Sequence, residues 1–127
     1  MKLSSPIIFL ATADPQRART FYEQVLGLEF LRDEPFALVF KTGDSDLRIA
    51  KVQRVHAPPY TVLGWTVLDI RAAAAALRAA GVTFQRYPDM PQDVDGIWQS
   101  PSGALIAWFR DPEGHVLSLT QPASPPH

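Results

Sequence analysis

Residues 6–28 read PIIFLATADPQRARTFYEQVLGL, and their signals run strand, stop, helix, stop. The segment Pro6 to Ala13 is β-branched and aromatic enough for a strand. It halts at Asp14-Pro15, a residue type that caps helix N-termini followed by proline at the first helical position. Apolar residues then recur at Ala18, Phe21, Tyr22, Val25 and Leu26, the stripe of a helix with 3.6 residues per turn. Gly27 supplies the left-handed position that closes helices, and Leu28-Glu29-Phe30 opens a new strand.

The same grammar returns in the second half. Tyr60 to Leu68 reads as a strand, Asp69 as a cap, Ala72 to Ala80 as a helix with Leu77 on its stripe, and Gly81 as its end before Val82-Thr83-Phe84. The two caps are 55 residues apart and the two glycines 54. Three predicted strands follow each helix: Leu28 to Leu31, Phe36 to Lys41 and Asp46 to Val52, then Val82 to Tyr87, Ala104 to Phe109 and His115 to Thr120. Thr42-Gly43-Asp44 and Asp111-Pro112-Glu113-Gly114 supply hairpin turns between the last two strands of each copy. The fold class is therefore α+β, two tandem β-α-β-β-β modules over about 5–55 and 60–121 within one domain of residues 1–127. Ala57-Pro58-Pro59 is the linker, and 122–127, with Pro122, Pro125 and Pro126, a flexible tail. A half of about 55 residues buries too little surface to be secure alone, so a shared core or a homodimer is expected.

Composition narrows the chemistry. With 12 basic and 13 acidic side chains the net charge is −1, without the basic stripe that neutralises nucleic-acid phosphates. No cysteine is present, which removes disulfides, thiolate metal sites and thiol nucleophiles. His56, His115 and His127 are the remaining imidazoles, and they read as solvent-exposed loop residues. The apolar run Ile7 to Leu10 is too short for a secretory leader, and no stretch nears the ~18 residues of a membrane span, so a cytoplasmic protein without membrane contact is expected. No phosphate-binding glycine loop, nucleophile elbow or usefully spaced His-Asp pair is apparent.

The duplicated unit, the opening Ile7 to Tyr22 with its Phe21-Tyr22 pair, the Leu26-Gly27-Leu28 helix end and Phe109-Arg110-Asp111-Pro112-Glu113-Gly114-His115 before the last strand resemble the vicinal oxygen chelate superfamily. That group includes glyoxalase I, bleomycin-resistance proteins, fosfomycin-resistance proteins and extradiol dioxygenases. The resemblance implies that each module curls into a half-barrel, that the pair forms a cleft, and that metal ligands in the enzymes stand on the first and last strands of each module. Those positions fall here on Ile7, Arg48, Val62 and Ser118. None suits a divalent cation: two lack donor atoms, one is a fixed cation and one a weak neutral ligand.

The expectation is thus a protein without metal or cofactor, sequestering a small aromatic or anionic molecule rather than turning it over. The alternative is a lyase, isomerase or dioxygenase of the same superfamily with a different or metal-free site. Alternation puts Phe9, Ala50, Gly64, Val116 and Thr120 beside the four positions, and sends Ile8, Leu10, Leu47, Ile49, Trp65, Val67, Leu117 and Leu119 under the helices. Arg48 is the candidate anion clamp, or else pairs with an internal acid such as Glu29 or Asp46. Phe36, Phe40, Tyr60, Trp98 and Trp108 are expected near the rim, with Trp98 and Trp108 the better stacking candidates because a long loop, Pro88 to Gly96, precedes them. Asp89, Asp93 and Asp95 in that loop read as solubilising charges. The expected ligand-binding set is Ile7, Phe9, Arg48, Val62, Gly64, Trp98, Trp108, Ser118 and Thr120.

Overall fold

The helix stop and start signals act where the sequence puts them. In the computed structural model, which describes residues Met1–Ala123, the Asp14 carboxylate accepts the Arg17 backbone N–H at 3.2 Å, and Gly27 adopts φ +72°. Strand β1 (Ile7–Thr12) ends before this cap, and helix α1 (Pro15–Arg19) starts on it. The expected helix changes pitch midway: Thr20–Val25 is π-helical, with the Leu26 N–H reaching the Phe21 carbonyl at 3.0 Å. The wider turn is a local feature that periodicity in the sequence does not reveal.

The chain divides into two units, Met1–His56 and a second from Ala57 onward. In the first, β2 (Glu29–Asp33), β3 (Ala37–Thr42) and β4 (Ser45–Lys51) join β1 in a sheet of order β1-β4-β3-β2, with β1 parallel to β4. Leu47 and Ile49 pair with Ile8 and Leu10 and with Phe40 and Leu38, which defines the apolar face. Tyr22 packs on that face, its ring 5.9 Å from Phe40, which in turn meets Phe30 at 5.3 Å. Phe40 is fully buried, so it belongs to the core of this unit and not to a rim as expected. Its cross-strand partner Leu47 places it on the apolar face, a pairing that a single strand read alone does not supply.

The second unit repeats the order: β5 (Thr61–Thr66), α2 (Ile70–Ala79), β6 (Trp98–Gln99), β7 (Leu105–Arg110) and β8 (Val116–Gln121), with sheet order β5-β8-β7-β6 and β5 parallel to β8. Asp69 caps α2 by accepting the Ala72 N–H at 3.1 Å. The core face carries Ala107, Phe109, Leu117 and Leu119, all buried, with Ala74 and Leu77 of the helix. Trp65 and Val67 are half-buried.

One predicted strand is absent. Val82 to Tyr87 touches β7 through a single bridge, Phe84 to Phe109, and the edge strand is the two-residue β6 instead. The reason is the Gln92 side chain. It accepts the Tyr87 N–H at 2.7 Å and donates to the Gln85 and Gly96 carbonyls at 2.9 Å, taking up backbone groups that a ladder would have used. His127, Pro125 and Pro126, read as a frayed tail, lie outside the described residues.

Candidate functional site

In the first unit, Phe9, Arg48, Val39 and Arg32 form one cross-strand row on the face opposite the apolar one. Ile7 lies two residues from Phe9 on the same strand and pairs with Asp46. Ile7 is 54% exposed and Phe9 65%, whereas Val39 beside them is buried. Arg32 reaches this row through a bulge. Phe30 pairs with Phe40, but Arg32 pairs with Val39, so Leu31 is extra and regular alternation is broken. The Glu34 carboxylate then bridges two cations, Oε1 accepting Arg48 Nη2 and Oε2 accepting Arg32 Nε, each at 2.6 Å. The internal partner of Arg48 is therefore Glu34, not the Glu29 or Asp46 expected. Both guanidinium hydrogen bonds hold the Glu34 carboxyl below its ordinary value, Arg48 contributing most.

In the second unit, Gly64, Ser118 and Trp108 form one row and Thr66, Thr120, Ile106 and Trp98 the next, on the face opposite Phe109 and Leu117. The Trp98 and Trp108 rings are 6.1 Å apart and tilted by 37°, and Tyr87 meets Trp108 edge-on at 5.6 Å and 87°. Tyr87 was not singled out in the sequence. It joins the group because the segment before β6 folds back along β7, where the Gln85 N–H donates to the Trp108 carbonyl at 2.7 Å. Ser118 is buried, and Gly64 leaves it room: a Cβ at position 64 would stand 2.3 Å from the Ser118 hydroxyl. Val62 is the extra residue of a bulge between Thr61 and Leu63, which breaks the expected alternation with Gly64. Phe36 and Tyr60 are strongly exposed and take no part in this ring group.

The loop from Pro88 to Gly96 is clamped. Arg71 donates to Asp93 at 2.9 Å and to Asp95 at 3.2 Å, Arg78 lies 3.5 Å from Asp95, and Arg86 donates to the Asp93 and Val94 carbonyls. Asp93 also accepts the backbone N–H groups of Asp95 and Ile97. Asp93 and Asp95 are thus structural anchors rather than solubilising charges, while Asp89 is exposed. Desolvation opposes the Asp93 charge, but the Ile97 N–H, Arg71 and the Asp95 N–H outweigh it and hold the carboxyl below its ordinary 3.8. A depressed carboxylate contributes stability that is complete above the unfolded value and is lost as pH falls through the folded one. We expect Asp93→Asn to flatten the fall of the thermal midpoint below about pH 4. Parallel acid limbs for the two proteins would remove Asp93 from that role.

His115 is not the solvent-exposed loop residue expected. It is 5% exposed, and its Nδ1 stands 2.7 Å from Oδ2 of Asp111, itself 7% exposed. Asp111 Oδ1 accepts the His115 and Glu113 N–H groups, so a His-Asp pair that the sequence reading passed over ties the last hairpin. Four residues of separation bring the two side chains together because the turn folds back on itself, its Gly114 N–H bonded to the Asp111 carbonyl at 3.0 Å.

Two units with strand order 1-4-3-2, each with its helix between first and second strands, define the class of paired β-α-β-β-β proteins. The chain belongs to the Glyoxalase/Bleomycin resistance protein/Dioxygenase superfamily, whose family model matches residues 6–119. Among solved structures it is similar to lactoylglutathione lyase from Agrobacterium tumefaciens, with TM-score 0.72, 19% identity and coverage of 93% of this chain and 92% of that one. It is likewise similar to TnmS3, an antibiotic-binding protein from a Streptomyces species, with TM-score 0.68, 23% identity and coverage of 96% and 98%. A glyoxalase family protein from Enterococcus faecalis matches with TM-score 0.68, 23% identity and coverage of 94% and 97%. At these identities the likeness is one of fold. No curated protein shows significant sequence similarity to the chain.

The four positions that the resemblance assigns to metal ligands carry an exposed Ile7, an ion-paired Arg48, a bulged Val62 and a buried Ser118. This donor set does not suit a divalent cation. Among the described residues, no three His, Asp or Glu side chains gather as a metal-holding group, and no helix is long and apolar enough to cross a membrane.

Proposed function

We propose that the protein binds a small aromatic or anionic molecule without a metal or cofactor, on the sheet faces that carry Phe9 and Arg48 in one unit and Trp98 and Trp108 in the other. The observation that supports this most is the Tyr87–Trp108–Trp98 ring group, whose tryptophans share a sheet face with Ser118 and Thr120. Such a group offers flat apolar surface with neutral donors and acceptors beside it, the composition of a site for a planar molecule. In the first unit Ile7 adds apolar surface, and in the second Gly64 keeps the floor beside Ser118 free of side chain. Val62, at its bulge, borders that floor. In this reading residues 1–127 act as one domain, in the cytoplasm and as a homodimer, since each unit alone is small for an independent core.

A thermal-shift screen with aromatic acids, quinone and glycopeptide antibiotics and glutathione adducts tests the reading, because a ligand raises stability by RT ln(1 + [L]/Kd) whatever its chemistry. We expect a stabilising planar ligand that quenches tryptophan fluorescence, and a loss of about 2- to 12-fold in its affinity on Trp108→Leu, the worth of one stacked ring pair. Stoichiometric binding of nickel, zinc, manganese or iron(II) with glyoxalase or dioxygenase turnover would overturn it.

A further inference from the structure

We infer that Glu34 is a positioning residue that presents Arg48 to ligand and sets its charge preference, so that the face of Phe9 and Arg48 takes aromatic monocarboxylates ahead of dianions. This rests on the reading of Arg48 as a ligand contact.

Glu34 divides its carboxylate between two cations. Each oxygen takes one nitrogen from a different arginine, Arg48 Nη2 and Arg32 Nε, at 2.6 Å. Neither arginine is engaged as a two-pronged fork. Nη2 carries two hydrogens and only one meets Glu34, so one edge of the Arg48 guanidinium, made by the other Nη2 hydrogen and a neighbouring nitrogen, stays open to a second carboxylate through two parallel hydrogen bonds. Glu34 itself is fixed from below by the hairpin turn Glu34-Pro35-Phe36-Ala37, in which its N–H donates to the Ala37 carbonyl at 2.8 Å. The bulge at Leu31 turns Arg32 onto this face, where regular pairing would have turned it to the apolar one. The side chain of Arg48 is 28% exposed, so it is reachable yet partly desolvated.

Charge count gives the selectivity. Two guanidinium groups and one carboxylate leave the cluster at +1, which a monoanion neutralises and a dianion overshoots. The ordinary carboxyl value of Glu34 is 4.5 and its cations lower it further, so the carboxylate stays ionised at neutral pH. Phe9 is the direct cross-strand neighbour of Arg48 and presents an exposed ring, which supplies the apolar contact that an aromatic carboxylate adds to its charge.

The experiment is calorimetric titration of the full chain with benzoate and with phthalate at neutral pH and fixed ionic strength. The wild type is expected to favour benzoate. Glu34→Gln raises the cluster to +2 and should shift the phthalate-to-benzoate affinity ratio at least tenfold toward phthalate. Arg32→Gln lowers it to zero without removing the Arg48 contact, and should move the ratio the other way. Arg48→Ala should weaken benzoate at least tenfold. If Arg48→Ala abolishes binding while Glu34→Gln and Arg32→Gln leave the ratio within twofold, the role of Glu34 is refuted and Arg48 stands. If benzoate and phthalate both fail to bind the wild type, or Arg48→Ala changes neither, the ligand role of Arg48 falls and the inference with it.

Discussion

Asp111→Ala is expected to lower the free energy of unfolding by about 3–5 kcal/mol, the range for removing one member of a buried charged or hydrogen-bonded pair. The Asp111 carboxylate accepts the Glu113 N–H at 3.0 Å and the His115 N–H at 2.9 Å, and its second oxygen meets His115 Nδ1 at 2.7 Å. Alanine would leave those groups facing a small cavity, with both residues nearly out of water. Asp111→Asn keeps an acceptor for the two backbone donors and places an amide opposite the ring nitrogen, so its cost should be less than half as large. Urea denaturation of the three proteins decides. A loss below about 1 kcal/mol for alanine would mean that the turn's own backbone bonds suffice to hold it.

The second large effect belongs to Phe40→Ala, with an expected loss of about 3–5 kcal/mol from transfer and cavity terms together. Phe40 is fully buried and sits between the Tyr22 and Phe30 rings, at 5.9 and 5.3 Å. Tyr22 is itself buried and is held by its place on the π-helical turn. Phe40→Leu retains most of the volume and should lose about 1 kcal/mol. The same denaturation measurement checks both substitutions, and a small loss on alanine would show that Phe30 collapses into the space.

Most of the architecture was legible because its signals are local. Asp14, Asp69, Gly27 and Gly81 act on backbone groups a few residues away, so both helix starts and ends, and the strands that precede them, are readable without any long-range contact. What could not be read came from distant or irregular pairings. Gln92 takes the hydrogen bonds that a strand at 82–87 would need, and nothing within 82–87 announces it. Phe40 reads as a rim residue, yet its cross-strand pairing with Phe30 and Leu47 puts it in the core. Glu34 escaped notice because the Leu31 bulge, which brings Arg32 to Arg48, breaks the two-residue period from which strand faces are inferred. The shared face of Trp98, Trp108, Ser118 and Thr120 follows from the β7–β8 and β6–β7 registers, which only the folded sheet supplies.

Gly64 and Ser118 share one volume. A methyl at 64 would meet the Ser118 hydroxyl at 2.3 Å and its carbonyl at 3.3 Å, so position 64 is not free to change while that hydroxyl keeps its place. Sequence drift along this floor is therefore coupled: a side chain can enter at 64 once the hydroxyl at 118 has gone, and in that order. Two residues on neighbouring strands, far apart in the chain, thus share one steric constraint, and a redesign of the face beside Trp108 has to choose them together.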